Sequence, residues 1–278
     1  MNRGFQENSM SVKRLTVFGA GGFIGRSVLG LAADYGYDAV RGDWRDLPLD
    51  ENMGDIVYCL GVGDCAKPNQ VLESHLIILK EIVSKGVFDR LTYVSSTRLY
   101  MGNDSSSENS ELKILPKDNR KLFNLIKLSA EAYLECSGVN YRVVRLSNVF
   151  GCAINSPLFL PSIVRDAVLK KEVHMYVPAD YSKDYVLVDD VARLTLQITK
   201  SSKRKTYNIA SGENVSAESI SVILKRNTDC SIIWHESSNS DIFPVTDISY
   251  IVNEFSFQPH KVVNLLDQMI SDFKQELT

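Results

Sequence analysis

No apolar stretch in these 278 residues approaches the ~20 residues that a bilayer-spanning helix needs, and the amino terminus lacks the charged-then-apolar pattern of a secretory signal. The expectation is a cytoplasmic protein with no membrane partner. Positive charge is also scarce: 31 Lys and Arg face 34 Asp and Glu, giving a net charge of −3. A dedicated nucleic-acid binder carries a concentrated basic face, so no nucleic-acid partner is predicted, and KSSKRK (200 to 205) reads as a solvated connection. The five cysteines (Cys59, Cys65, Cys136, Cys152, Cys230) form no CxxC pair. His75, His174, His235 and His260 are dispersed, none pairing with a cysteine or acid at ligand spacing. Reduced structural thiols and no metal are the prediction. Residues 1–10, MNRGFQENSM, read as a loose leader or tag.

Alternation of strand and helix patterns dominates the rest. VKRLTVFG (12 to 19) has the β-branched content of a buried strand, and after GAGG the segment FIGRSVLGLAADYG places apolar residues at helical spacing. YDAVRGD (37 to 43), DIVYCLGVG (55 to 63) and RLTYVSS (90 to 96) are further strands, with a helix, NQVLESHLIILKEIVSKG, between the last two. RKLFNLIKLSAEAYLECSG is a helix ending at glycine, and NYRVVRLSNVFG (140 to 151) one more strand. Two helices follow, LFLPSIVRDAVLKK and VDDVARLTLQITK, and then the strand TYNIAS. Such alternation implies right-handed crossovers and an α/β fold, a doubly wound parallel sheet of the Rossmann type. The expected division is a dinucleotide-binding domain of residues 11–150 plus about 187–212, and a smaller substrate-binding cap of 151–186 plus 213–278. The polar stretch 103 to 119 reads as a surface loop, either disordered or a mobile rim over a pocket.

VFGAGGFIG sets Gly19, Gly22 and Gly25 at three-residue intervals between a strand and a helix. Glycines there let the backbone turn tightly and approach a pyrophosphate, while the free N–H groups of the helix start face the anion. Asp43 closes the second strand, about where a carboxylate accepts hydrogen bonds from an adenosine ribose. An acid at that point favours NAD over NADP. Arg41 and Arg45 keep NADP open, because a guanidinium pairs with a 2′-phosphate.

Seven pieces in order, GAGGFIG, YCLGVG, YVSSTRLY, the lysine of FNLIKLSAE, VVRLSNVFG, KDYVLVDDVA and YNIASGENVS, make the chain resemble an extended short-chain dehydrogenase/reductase. That group holds nucleotide-sugar epimerases, dehydratases and ketoreductases, and the resemblance runs from about Val12 to the C-terminal helix. It implies cofactor contacts at Gly19, Gly22, Phe23, Ile24, Gly25, Asp43, Leu60, Gly61 and Lys127, and substrate contacts at Ser96, Thr97, Asn148 and Lys183. Ser96 takes the place of the hydroxyl that bonds the reacting oxygen, and Lys127 that of the ammonium holding the nicotinamide ribose. The blander readings are a turn-capping serine and a surface lysine paired with Glu131. Asn148 and Lys183 match residues that touch the nucleotide diphosphate; relatives commonly carry arginine where Lys183 stands, so a fork is replaced by a point charge.

Phe123 breaks the pattern, since the resemblance places there a tyrosine that moves a proton. Phenylalanine keeps the ring and loses the proton, and general acid–base catalysis typically contributes ~10²–10⁴-fold. Three explanations stand: a deliberate replacement that holds a substrate complex, a natural one in which Ser96, water or a group such as Tyr100 takes the proton, or a non-catalytic descendant that binds a dinucleotide for regulation. Retention of Ser96 and Lys127 favours the first. Thr97 and Arg98 stand where 4,6-dehydratases carry an Asp-Glu pair, leaving hydride exchange at a ring carbon, by epimerisation or keto-sugar reduction. The resemblance further implies a nucleotide-diphosphate sugar as partner, a role in surface-polysaccharide or deoxysugar biosynthesis, and a homodimer paired through the helices at 70 to 85 and 119 to 137.

Overall fold

The computed structural model describes residues 12–48, 50–237 and 241–277, so the leader expected over residues 1–10 lies outside the described residues. Six parallel strands form the main sheet: β1 (Lys13–Phe18), β2 (Tyr37–Gly42), β3 (Asp55–Tyr58), β4 (Arg90–Ser96), β5 (Tyr141–Leu146) and β9 (Thr206–Ile209). Their order is β2-β1-β3-β4-β5-β9. The chain leaves β1 toward one edge and returns to its other side as β3, so a crevice opens at the carboxyl ends of these two strands.

Strand residues alternate between two buried faces. Ile56 and Tyr58 pack with Leu79, Ile82, Ala130 and Leu134 of α3 (Ile78–Lys85) and α4 (Lys121–Cys136). Val57, between them, joins Leu15, Val17, Val28, Ala192 and Leu196, so α1 (Phe23–Leu31) and α6 (Val188–Ser201) cover the opposite face. Both faces being dry explains the near-continuous apolar strands.

Three expectations need correction. The stretch 140 to 151 is two strands, because Ser147 donates to Asp184 at 2.6 Å and the chain turns out of the main sheet. Its second part, β6 (Asn148–Phe150), pairs with β8 (Ser182–Leu187), which pairs in turn with β10 (Asn214–Ser216). The helix at 69 to 86 is interrupted: α2 (Pro68–Leu72) and α3 are joined by a wide π turn, Glu73–Ile77. The polar loop 103 to 119 is not a free rim, for Ser106 and Glu108 are buried within it. Glu108 accepts from the backbone N–H of Asn208 at 2.7 Å, and Ser106 Oγ donates to the Val245 carbonyl at 2.5 Å.

A second apolar core unites α5 (Phe159–Leu169), β7 (Glu172–Met175), α7 (Ala217–Thr228), β11 (Ser231–Trp234) and α9 (Val262–Leu277) around Val164, Val173, Leu224, Leu266 and Phe273. The short α8 (Ser249–Phe255) instead packs its Ile251 with Tyr207 and Ile209 of the main sheet. Parallel pairing of β7 with β11 brings together two histidines distant in sequence. His174 lies 2.7 Å from His235 and 2.9 Å from Glu172, and His260 bonds Asp190.

Candidate active site

The turn after β1 is made by backbone touching backbone. Gly19 has φ +85°, and a Cβ there would sit 2.8 Å from both the Cys59 carbonyl carbon and the Leu60 nitrogen. A Cβ on Gly25 would lie 2.3 Å from the Gly19 oxygen. Helix α1 therefore starts hard against the β1 and β3 turns. Gly22 is its N-cap, no side chain caps it, and no acid occupies its first turn. The N–H groups of Phe23, Ile24 and Gly25 have no partner within the helix by geometry, which makes a ready anion site. Asp43 follows β2, exposed, with Oδ1 accepting from the Arg45 backbone at 2.9 Å. It lines a shallow recess together with Arg41, while Arg45 turns onto the Trp44 ring.

The second turn, Leu60 and Gly61, is shaped by a residue that sequence reasoning passed over. A Cβ on Gly61 would meet the His75 ring at 2.3 Å. The π turn carries His75 into the interior, where Nε2 bonds the Val62 carbonyl at 3.1 Å and Nδ1 is buried without a partner among the described residues. Burial, aided by the charge of Lys127, pulls its pKa down to about 3, so the ring is neutral. It meets the Phe123 ring edge-on at 5.3 Å.

Helix α4 supplies Phe123, Lys127 and Glu131 along one face, as four-residue spacing demands. Asp118 fastens its start: one oxygen accepts from the Arg120 N–H at 2.8 Å and from Arg98 at 2.7 Å, the other from Asn124 at 2.8 Å. Phe123 is buried among Val71, Ile126, Cys65 and Leu76. Lys127 is no surface lysine. Its Nζ donates to the Val94 carbonyl at 2.5 Å and lies 4.6 Å from the Tyr93 ring centre and 5.8 Å from that of Phe123. Burial lowers its pKa to about 7, against the pull of Glu131. Glu131 itself is held by Arg145, Nη2 to Oε2 at 2.6 Å, and by Ser95. Arg145 also donates to the Tyr100 hydroxyl at 2.7 Å, which donates to Asn208 at 2.8 Å. Burial pushes the Tyr100 phenol up to about 12. Tyr100, one of the groups the sequence left open as a substitute proton donor, is held in this interior chain.

Ser96, Thr97, Asn148 and Lys183 line one cavity, together with Arg98 and Arg120. The Arg98 backbone N–H donates to Ser96 Oγ at 3.1 Å, which leaves the hydroxyl proton free to donate into the cavity. Asn148 donates to the Asp184 carbonyl at 2.8 Å. Lys183 packs over Phe243 and Tyr181, and burial followed by the nearby Arg98 lowers its pKa to about 8, with Asp241 acting the other way. The Asp184 carboxylate faces inward, accepting from Ser147, Ser211 and Glu213. Phe123 and Lys127 do not line this cavity. Arg120, which does, lies 4.6 Å over the Phe123 ring and joins the two places. Arg120 and Phe243 were missed in the sequence; a charge at a helix start and an aromatic in a patternless loop carry no signal there.

A doubly wound parallel sheet, a glycine turn at its switch point and a polar cavity over the ends of β4 and β5 define the Rossmann class of α/β proteins. Residues 49–210 match the NAD dependent epimerase/dehydratase family, and the chain belongs to it. No curated protein matches the chain. Among solved structures it is similar to the UDP-glucuronic acid 4-epimerase from Bacillus cereus in complex with UDP-glucuronic acid and NAD (TM-score 0.80, 14% identity, 95% of this chain and 100% of that one covered). MoeE5 in complex with UDP-glucose and NAD gives a TM-score of 0.78 at 18% identity, covering 95% and 100%. RMD from Pseudomonas aeruginosa complexed with NADPH gives 0.75 at 18%, covering 95% and 99%. At these identities the likeness is one of fold.

Proposed function

We propose that this chain is an NAD(P)-dependent oxidoreductase of nucleotide-diphosphate sugars, of the epimerase or keto-sugar reductase type, acting at a ring carbon. The observation that carries the reading is the single cavity around Ser96, Thr97, Asn148 and Lys183, residues far apart in sequence that the family resemblance had assigned to one substrate. The dinucleotide fits the turn beside it. Glycine contacts leave no room for side chains at Gly19 and Gly25, and the start of α1 has unpartnered N–H groups and no acid. Gly22, Phe23, Ile24 and Gly25 would hold the diphosphate, Leu60 and Gly61 would border the nicotinamide half, and Asp43 would take the adenosine ribose, which favours NAD. When bound, the nicotinamide supplies hydride exchange.

The chain's own residues position and polarise. Ser96 Oγ donates a hydrogen bond to the reacting oxygen, and Asn148 and Lys183 hold the diphosphate of the sugar nucleotide. Lys127 sits behind Phe123, its ammonium tied to a main-chain carbonyl. Phe123 has no proton to give, so turnover is low. Replacing it tests the reading: Phe123→Tyr is expected to raise turnover of a nucleotide sugar by about 10²–10⁴-fold, followed by nicotinamide absorbance and product mass over a substrate panel.

A second reading, a regulatory dinucleotide binder without catalysis, is favoured by how completely Phe123 is absorbed into the apolar cluster with Val71 and Ile126. It calls for dinucleotide binding, no affinity for sugar nucleotides and no gain from Phe123→Tyr.

A further inference from the structure

Three cations converge on the cavity, and they are not equivalent. Arg98 is held by buried Asp118 at 2.7 Å and by Asp241 at 3.6 Å. Lys183 lies toward Asn148, whose strand pairs with its own. Arg120 is different: among the described residues no carboxylate comes within salt-bridge distance of its guanidinium, and its Nε is buried with no partner. Its Cys65 neighbour is a thiol, and Asp118 acts on it only through space. One face of the guanidinium is spent on the Phe123 ring, at 4.6 Å, and one edge would lie 3.2 Å from a Cβ on Gly63. What remains faces the cavity that holds Ser96.

A partly dehydrated guanidinium without a counter-ion is costly unless a ligand brings the charge, and a planar fork matches a carboxylate. On the function proposed above, Lys183 and Asn148 take the diphosphate, and Arg120, stacked on the Phe123 ring and lining the same cavity as Ser96, is placed to meet the sugar. A neutral hexose leaves Arg120 unpaired. We infer that the substrate is a nucleotide-diphosphate sugar bearing a carboxylate on its ring, a uronic acid, and that Arg120 is the residue that selects it. The inference rests on that reading of the site and names the sugar class within it.

Calorimetric titration of the full chain, saturated with NAD, tests the inference with four probes in neutral and anionic pairs: UDP-glucose with UDP-glucuronate, and GDP-mannose with GDP-mannuronate. The expected result is that, in the pair with the preferred base, the uronate binds about 10-fold or more tightly than the neutral sugar, the margin of a charge-assisted bidentate bond. Arg120→Met should erase that margin and leave the affinity for the bare nucleoside diphosphate unchanged, while Arg120→Lys, which keeps the charge and the packing, should retain part of it. Neutral and anionic partners binding within about twofold overturn the inference alone. So does an equal loss of nucleoside-diphosphate affinity in Arg120→Met, which would put the guanidinium on the diphosphate. No binding by any of the four overturns the nucleotide-sugar reading, and this inference with it.

Discussion

The two walls of the crevice are built by opposite means. On the side of β1 and α1 the wall exists because side chains are missing: Gly19, Gly22 and Gly25 bring main chain against main chain, and the polar groups on offer are backbone N–H groups. On the side of β4 and α4 the wall carries charged side chains, Arg98 steadied from behind by Asp118 and Glu131 of α4 by Arg145, while Arg120 rests on the Phe123 ring. A wall of backbone tolerates no added atom. A wall of charges leans on the partners it has.

Removing a partner from the charged wall gives the larger stability effect. Arg145→Met would leave Glu131 buried beside Ser95 without its ion-pair partner, and loss of one member of a buried pair costs about 3–5 kcal/mol. Urea unfolding should register it, and a loss below about 1 kcal/mol would mean the pair is more hydrated than its burial indicates. Adding atoms to the backbone wall comes next. Gly25→Val places a Cβ 2.3 Å from the Gly19 oxygen, which cannot swing aside as a flexible side chain would. Overpacking of that kind costs about 1–3 kcal/mol and should remove dinucleotide binding while sugar-nucleotide binding persists. Equal dinucleotide affinity in Gly25→Val and the parent would erase the contrast between the walls.

These differences decide what was legible beforehand. The glycine turn could be read because its geometry admits one residue type, and strand alternation with two dry faces gave the sheet. Ser96 and Lys127 were readable through their place in family motifs, though not the tie of Lys127 to the Val94 carbonyl. Arg120 and Phe243 were illegible, since their meaning lies in contacts made across the fold: one guanidinium on Phe123, one ring between Arg98 and Lys183. His75 was hidden by the π turn, which rotates it from an amphipathic helix surface into the interior. The split of 140 to 151 was invisible because Val149 and Phe150 suit either sheet equally well.

A further effect is a pH slope. Lys127 is protonated in the unfolded chain up to about 10.5 but loses its proton near pH 7 when buried, so between those values the unfolded state binds more protons. Stability from this group therefore rises as pH increases from about 7 toward 10, by at most about 1.4 kcal/mol per unit. Lys127→Met should flatten that part of the profile in denaturant titrations at pH 7, 8 and 9; an unchanged slope would mean that Lys127 stays charged in the fold.

Whether the backbone wall holds a dinucleotide is the claim on which the rest depends, and titration of NAD, NADH, NADP and NADPH into the purified chain measures it most directly. The expected result is saturable one-to-one binding of at least one of the four, with the NAD forms preferred and the heat abolished in Gly25→Val. Absence of heat from all four, or binding indifferent to that valine substitution, would contradict it.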